Sequence, residues 1–201
     1  MIKLYYAPGA CSLSPHIALR EAGVPFELVL VDFAKGRATA DGKTLQAVNP
    51  KNQVPTLALD DGAILTEGSA MVQYIADLAP QKALAPAAGT LARVRLQEWL
   101  NFIATELHKG LSPLLSPVSG DEYKKMARER LAGRLDYIAK TMTGPYLMGE
   151  QFTVADGYLL YALRTWRRLE GELPNALADY AGRVSARPAV RAALEAEGLT
   201  P

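Results

Sequence analysis

The stretch IKLYYAPGACSLSPHIALREAG, residues 2–23, predicts a β-strand, a turn and an α-helix in direct succession. Residues 2–6 are a short run rich in apolar and aromatic side chains, and Pro8-Gly9 ends that run as a turn. After Pro15 apolar residues recur with helical spacing, and Gly23 is a typical C-terminal cap. A strand that leads through a tight turn into a helix is typical of the start of an α/β domain.

The same alternation of strands and helices continues to about residue 80. Further strands are predicted in PFELVLVDF, VPTLALD and AIL, with Asp61-Gly62 as the hairpin turn between the last two. A helix follows, because Met71, Ile75 and Leu78 recur at helical spacing. The order βαβ, a connection and then ββα predicts an α/β N-terminal domain over residues 1–80.

Beyond residue 80 only helical patterns remain. Residues 81–89 are rich in Pro, Ala and Gly and predict a linker. Residues 90–201 predict an all-α domain, in which Leu96, Leu100, Ile103 and Leu107 form one apolar stripe. Longer helices are expected over residues 121–142 and 153–168, and two short ones at the end, the second opened by Pro188.

Composition excludes several classes of function. A formal net charge of +1 gives no basic surface for nucleic acid, and no run of about 18 apolar residues predicts a membrane span. The single cysteine excludes an internal disulfide and favours a reducing, cytoplasmic compartment. With only two histidines, we expect no metal site.

That cysteine, Cys11, lies between the Pro8-Gly9 turn and the predicted helix. It could be a small buried residue, a nucleophile, or the partner of an external thiol. The helix N-terminus favours an anion, and hydrogen bonds from Ser12 or Ser14 could add to the effect, so we expect the pKa of the Cys11 thiol to lie below its usual value of about 8.5. The pattern is Cys-x-x-Ser, so an outside thiol must resolve any disulfide formed there.

Four motifs in this order resemble the bacterial beta class of the cytosolic glutathione S-transferases. They are YYAPGACSLSPHIALRE, NPKNQVPTLALDDGAILTEGSAMVQYIADL, EWLNFIATELHKG and FTVADGYL, and together they span most of the chain. The resemblance implies a thioredoxin-like N-terminal domain with a mixed sheet, followed by an all-α C-terminal domain. It also implies a homodimer and glutathione as co-substrate, with no other cofactor.

The resemblance assigns glutathione-binding roles to residues of the first domain. The backbone of Val54, before a cis Pro55, would pair with the cysteinyl part of glutathione as a strand edge does. Glu67 and Gly68 would hold the γ-glutamyl end, since a carboxylate accepts from an ammonium and a helix N-terminus binds a carboxylate. Cys11 would lie beside the glutathione sulfur, and Lys35 is the candidate for the basic residue after the second strand.

Further contacts are implied from the second domain. Asn101, Thr105 and His108 follow at i, i+4 and i+7, which places them on one helix face. The resemblance adds Glu106 and Leu107 to the glutathione contacts and makes His108, with Cys11, a catalytic residue.

Conjugation of glutathione to apolar electrophiles is the function implied, together with thiol–disulfide exchange through Cys11. Leu114, Leu115 and Trp166 are candidates for the co-substrate wall, with ordinary core packing an equal alternative. Thr153-x-x-Asp156 is interpreted as a helix capping box, so Asp156 is kept out of the site. The alternative functions are a carrier of apolar ligands without turnover and a redox-signalling protein.

Overall fold

The computed structural model describes residues 1–200 and contains, in that range, a five-stranded sheet and nine α-helices. The strands are β1 (Ile2–Tyr6), β2 (Phe26–Asp32), β3 (Ala38–Thr39), β4 (Thr56–Ala58) and β5 (Ile64–Leu65). The helices are α1 (Leu13–Ala22), α2 (Leu45–Val48), α3 (Gly68–Asp77), α4 (Leu91–Phe102), α5 (Lys109–Leu115), α6 (Asp121–Thr141), α7 (Val154–Arg168), α8 (Asn175–Ser185) and α9 (Pro188–Ala196). None of these helices is both long and apolar enough to cross a membrane.

The sheet is mixed, as the resemblance implies, with strand order β3-β2-β1-β4-β5. β1 pairs in parallel with β2 and antiparallel with β4. Successive side chains of a strand point to opposite faces, and both Leu4 and Tyr5 of β1 are buried, so the sheet is covered on both sides. Short β3 and α2 lie in the connection before β4; at two and four residues they are too short to give a periodic signal.

The predicted ends of α1 and α7 are confirmed. Gly23 follows α1 with φ of 69°, in the left-handed region that favours glycine, and its N–H donates to the Arg20 carbonyl. Thr153 and Asp156 form the predicted capping box at the start of α7. Local side-chain chemistry therefore fixes where these two helices begin or end.

A π-helical segment, Ile103–His108, joins α4 to α5, where the sequence predicts uninterrupted α-helix. The four apolar side chains of the predicted stripe are buried in the core, which confirms that face. π-Helical hydrogen bonds run from i to i+5, so the segment changes the rotation of the helix locally, and such segments are frequent at functional sites.

The two ends of the chain meet in a buried polar network between α1 and the end of α9. The imidazole of His16 accepts from Arg20 Nε at its Nε2 (2.8 Å), so its Nδ1 carries the proton and donates to Glu197 Oε1 (2.8 Å). The other oxygen of Glu197 accepts from the N–H of Gly9 at 2.9 Å. His16 and Glu197 are both buried, and through them the C-terminal segment holds the turn that precedes Cys11.

Candidate functional site

A cleft of about 360 Å³ lies between the β1–α1 turn and the π-helical segment. Predicted site residues from both halves of the chain line it: Cys11, Val54, Glu67, Gly68, Asn101, Thr105 and His108. Residues distant in sequence therefore share one cavity, as the sequence analysis expects.

Cys11 lies at the turn before α1, but the structure contradicts its expected ionisation. Its Sγ donates to the Val54 carbonyl at 3.2 Å, a bond that only the thiol can make. Burial raises the pKa of Cys11 to about 11, although the N–H groups of Cys11 and Ser12 and the charge of Lys109 act to lower it. The residue keeps some exposed surface, yet desolvation of the sulfur outweighs the helix N-terminus.

The serines expected to assist the thiolate do not contact it. The Ser12 hydroxyl donates to the carbonyl of Ala7 and accepts from the N–H of Ala7, both at 3.2 Å. Ser14 Oγ is buried and makes no hydrogen bond within the described residues. The Ser12 hydroxyl therefore shapes the turn, and the expectation that this hydroxyl supports the anion is wrong.

The loop that carries Val54 is held by its own hydrogen bonds. The Val54–Pro55 peptide bond is cis. Asn49 Nδ2 donates to the Gln53 carbonyl (3.1 Å) and to Thr56 Oγ1 (2.8 Å). The Val54 carbonyl, which accepts from Cys11, is thereby presented at the wall of the cleft.

Glu67 precedes α3 with φ of 66°, a left-handed conformation uncommon outside glycine and concentrated at functional sites. Its carboxylate accepts from Lys51 Nζ at 2.7 Å, and this lysine lowers the pKa of Glu67. Both side chains are largely exposed, so the pair contributes little to stability. At the adjacent start of α3, Gly68 and Ser69 line the cleft, where first-turn N–H groups lack helical partners.

His108, which also lines the cleft, packs against two aromatic rings. Its Nδ1 lies 2.8 Å from the Tyr158 hydroxyl, and its ring packs edge-on against Tyr161 with centroids 5.1 Å apart. Burial lowers the pKa of His108 to about 4. The imidazole is therefore neutral near pH 7 and can exchange hydrogen bonds without adding charge.

Three predicted contacts lie outside the lining of the cleft. Lys35 is exposed beside Asp32, with Nζ 3.7 Å from the carboxylate. Leu107 is 1% exposed, in the helical core, and the Glu106 carboxylate accepts from Arg130 and Arg134. Their place in the glutathione site rests on the resemblance alone. The proposed co-substrate wall, Leu114, Leu115 and Trp166, also does not line this cleft; Trp166 Nε1 donates to the Glu172 carbonyl.

Sequence reasoning missed the two cations of the cleft, Lys51 and Lys109. A signal was present, because Lys51 lies three residues before Val54 in a recognised motif and Lys109 directly follows His108. Tyr158 was missed because the spacing of residues in an apolar helix does not distinguish a tyrosine that lines a site from one that only packs in the core.

Comparisons with known proteins show the family of the chain. Residues 9–78 match the family model of the glutathione S-transferase N-terminal domain, and residues 102–188 match that of the C-terminal domain. The glutathione S-transferase GstA of Escherichia coli O157:H7 is 46% identical over 202 residues, which cover 98% of this chain and all of that protein.

Solved structures give the same result. A sphingomonad glutathione S-transferase complexed with glutathione is 45% identical with a TM-score of 0.94, covering 98% of this chain and 100% of its own. A bacterial beta-class enzyme of Sphingomonas chungbukensis is 44% identical with a TM-score of 0.93 and the same coverage. The chain therefore belongs to the bacterial beta class of the glutathione S-transferase family, whose members are transferases that use glutathione as co-substrate.

Proposed function

We propose that this protein conjugates glutathione to electrophiles in the cleft described above, and that Cys11 exchanges thiol and disulfide with glutathione in the same place. The observation that carries the proposal is the convergence of Cys11, Val54 and Glu67 from one half of the chain with Asn101 and His108 from the other.

The charges of the cleft complement glutathione. At neutral pH the tripeptide has two carboxylates and one ammonium group. The cleft offers one carboxylate, Glu67, and two ammonium groups, Lys51 and Lys109. Glu67 binds the γ-glutamyl ammonium, the start of α3 at Gly68 binds its carboxylate, and a lysine binds the glycyl carboxylate.

In conjugation the attacking atom is the glutathione sulfur. Lys109 favours its thiolate by charge, and neutral His108 exchanges a hydrogen bond with it. The thiolate attacks the electrophilic carbon; with an aryl halide a C–S bond forms, the carbon–halogen bond breaks and halide leaves. The thiol proton passes to solvent.

Disulfide exchange depends on the Val54 carbonyl, because Cys11 donates to it in the ligand-free protein. A glutathione amide N–H that donates to the same carbonyl competes with the thiol for it. The Cys11 thiol then loses its proton to solvent, and the resulting thiolate attacks oxidised glutathione, forms a mixed disulfide and expels one glutathione thiolate. A second glutathione thiolate attacks the mixed disulfide at the glutathione sulfur and regenerates Cys11.

Glu67→Ala tests the glutathione site. Loss of the carboxylate leaves the ligand ammonium without its partner, so the dissociation constant of glutathione should rise at least tenfold by calorimetry, as expected for a broken charge pair worth roughly 2–5 kcal/mol when desolvated. Glu98→Ala, which removes an exposed carboxylate paired with Arg95, is the matched control. An unchanged constant in Glu67→Ala would remove this residue from the site.

Turnover separates the proposal from its rivals. A transferase gives steady-state turnover with glutathione and 1-chloro-2,4-dinitrobenzene, whereas a carrier binds without turnover and a redox-signalling protein shows Cys11 modification without conjugation. The proposal includes a detoxifying role in the cytoplasm.

The proposed assembly is a homodimer of chains, each with domains at residues 1–80 and 90–201 and a linker at 81–89. Exposed apolar side chains on α3 and α4, namely Tyr74, Leu91 and Val94, support a partner surface there. Sedimentation velocity distinguishes the dimer from a monomer.

A further inference from the structure

A second cavity, of about 430 Å³, adjoins the turn that carries Cys11. Gly9 and Leu13, on either side of Cys11 in sequence, line it together with Tyr161 and Leu199. The ring of Tyr161 packs against His108, which lines the glutathione cleft, so the two cavities share a wall. A molecule in the second cavity therefore lies next to the reacting end of the cleft.

Three arginines of α7 also line this cavity: Arg164, Arg167 and Arg168. Their spacing of i, i+3 and i+4 places them on one helix face. Within residues 1–200 none of them forms an ion pair; Arg164 donates to the Thr200 carbonyl at 2.6 Å.

Arg168 is the arginine nearest the reactive turn. A methyl group built on the α-carbon of Gly9 would lie 3.4 Å from Arg168 Nη1, which places the guanidinium against the turn two residues before Cys11.

The arginine charges act on one another. Burial and the charge of Arg167 lower the pKa of Arg164, and the negative charge of Glu197 opposes this. The oxygens of Glu197 are engaged with His16 and Gly9, so this carboxylate has little capacity left for the arginines. An added anion would relieve the repulsion.

We infer that the arginine-lined cavity binds the carboxylate of an anionic co-substrate, an organic acid whose apolar, electrophilic body lies toward the glutathione cleft. The inference rests on the proposed conjugation and narrows its substrate class from apolar electrophiles to acidic ones. Tyr161, Leu13 and Leu199 supply the apolar wall, while Arg167 and Arg168 supply planar guanidinium groups that bind carboxylates through two hydrogen bonds. The volume lies in the range of small-molecule sites.

A pair of substrates that differ only in charge tests the inference. The probes are 4-chloro-3,5-dinitrobenzoate and its methyl ester; in both, the glutathione thiolate displaces chloride at the same ring carbon and the carboxyl group is unchanged. In Arg168→Met, the ratio of kcat/KM for the acid to kcat/KM for the ester should fall at least fivefold, chiefly through KM. Arg95→Met, which removes an exposed arginine of α4, should leave the ratio as in the wild type. An unchanged ratio in Arg168→Met overturns the inference.

Binding without turnover separates this inference from the proposed function. The unreactive 3,5-dinitrobenzoate is titrated into the glutathione-saturated protein by calorimetry. Arg167→Met and Arg168→Met should each weaken its binding at least fivefold. Raising the salt concentration from about 0.01 M to about 0.15 M should also weaken the binding of 3,5-dinitrobenzoate at least fivefold, because it shortens the Debye length from about 30 Å to about 8 Å. If neither probe is conjugated, the proposed conjugation fails, and arginine-dependent binding alone still upholds the anion site. Binding of 3,5-dinitrobenzoate that is unchanged in both arginine variants overturns the inference.

Discussion

Replacement of Asp156 by alanine should destabilise the fold and spare the chemistry. The carboxylate is completely buried and accepts from four donors: the N–H groups of Leu147 and Thr153, the Thr153 hydroxyl and the Tyr180 hydroxyl. It therefore ties the start of α7 to the preceding loop and to α8, away from the glutathione cleft.

The expected magnitude follows from those contacts. Loss of the cap costs about 0.5–2 kcal/mol. The Leu147 N–H and the Tyr180 hydroxyl are then left as buried donors without an acceptor, at about 1–3 kcal/mol each. Because a rearranged Tyr180 or a water molecule recovers part of this, the free energy of unfolding should fall by about 3–5 kcal/mol, a large share of the roughly 5–15 kcal/mol typical of a protein.

Urea unfolding followed by circular dichroism measures that change, with two matched variants. Tyr180→Phe removes one donor and leaves the carboxylate with its others, so it should cost about 1 kcal/mol. Asp121→Ala removes an exposed acid in the first turn of α6 and should cost less than about 1 kcal/mol. The turnover number of folded Asp156→Ala should match the wild type. A loss of stability below that of Tyr180→Phe, or a reduced turnover number in fully folded protein, would refute the reasoning.

Three further predictions concern Cys11 and His108. Alkylation of Cys11 by iodoacetamide in ligand-free protein should rise with pH through a midpoint well above the usual thiol value of about 8.5, because burial favours the thiol; a midpoint at or below that value would contradict the buried thiol. Oxidised glutathione should add one glutathione per chain by intact mass, and only added thiol should release it. The folded-state pKa of His108, about 4, lies below the unfolded value of about 6.5, so the unfolded chain binds the proton first and stability falls as the pH drops through this window. Between pH 6.5 and about 4, the free energy of unfolding measured in urea should fall less for His108→Gln than for the wild type. An equal fall in both proteins would show that another group is responsible.

Most of the fold could be read from local patterns. The strand–turn–helix of residues 2–23, the cap at Gly23 and the capping box at Asp156 each depend on residues close in sequence, and each appears where it was predicted. The π-helical segment could not be foreseen, since its apolar and polar residues fit an ordinary α-helix equally well.

The chemistry of the site depends on tertiary contacts, which the sequence does not show. The sequence predicts the position of Cys11 at a helix start. The Cys11 thiol, however, donates to the Val54 carbonyl, and desolvation there raises the pKa of Cys11 by more than the helix N-terminus lowers it. Lys51 and Lys109 take the place expected for Lys35 as cations of the cleft, because the loop after β2 carries Lys35 into solvent.

The contact between Glu197 and the first turn has a consequence for synthesis. Glu197 bonds to Gly9 and His16, which precede it by 188 and 181 residues. At about 5–20 residues per second, a ribosome needs roughly 10–40 s to make the intervening chain. Throughout that interval His16 has no Glu197 carboxylate to which it can donate, and the turn before Cys11 lacks the bond from Gly9 to Glu197. The turn at Gly9 is thus completed only after the much later helix α9 has been made, and the Cys11 thiol waits with it.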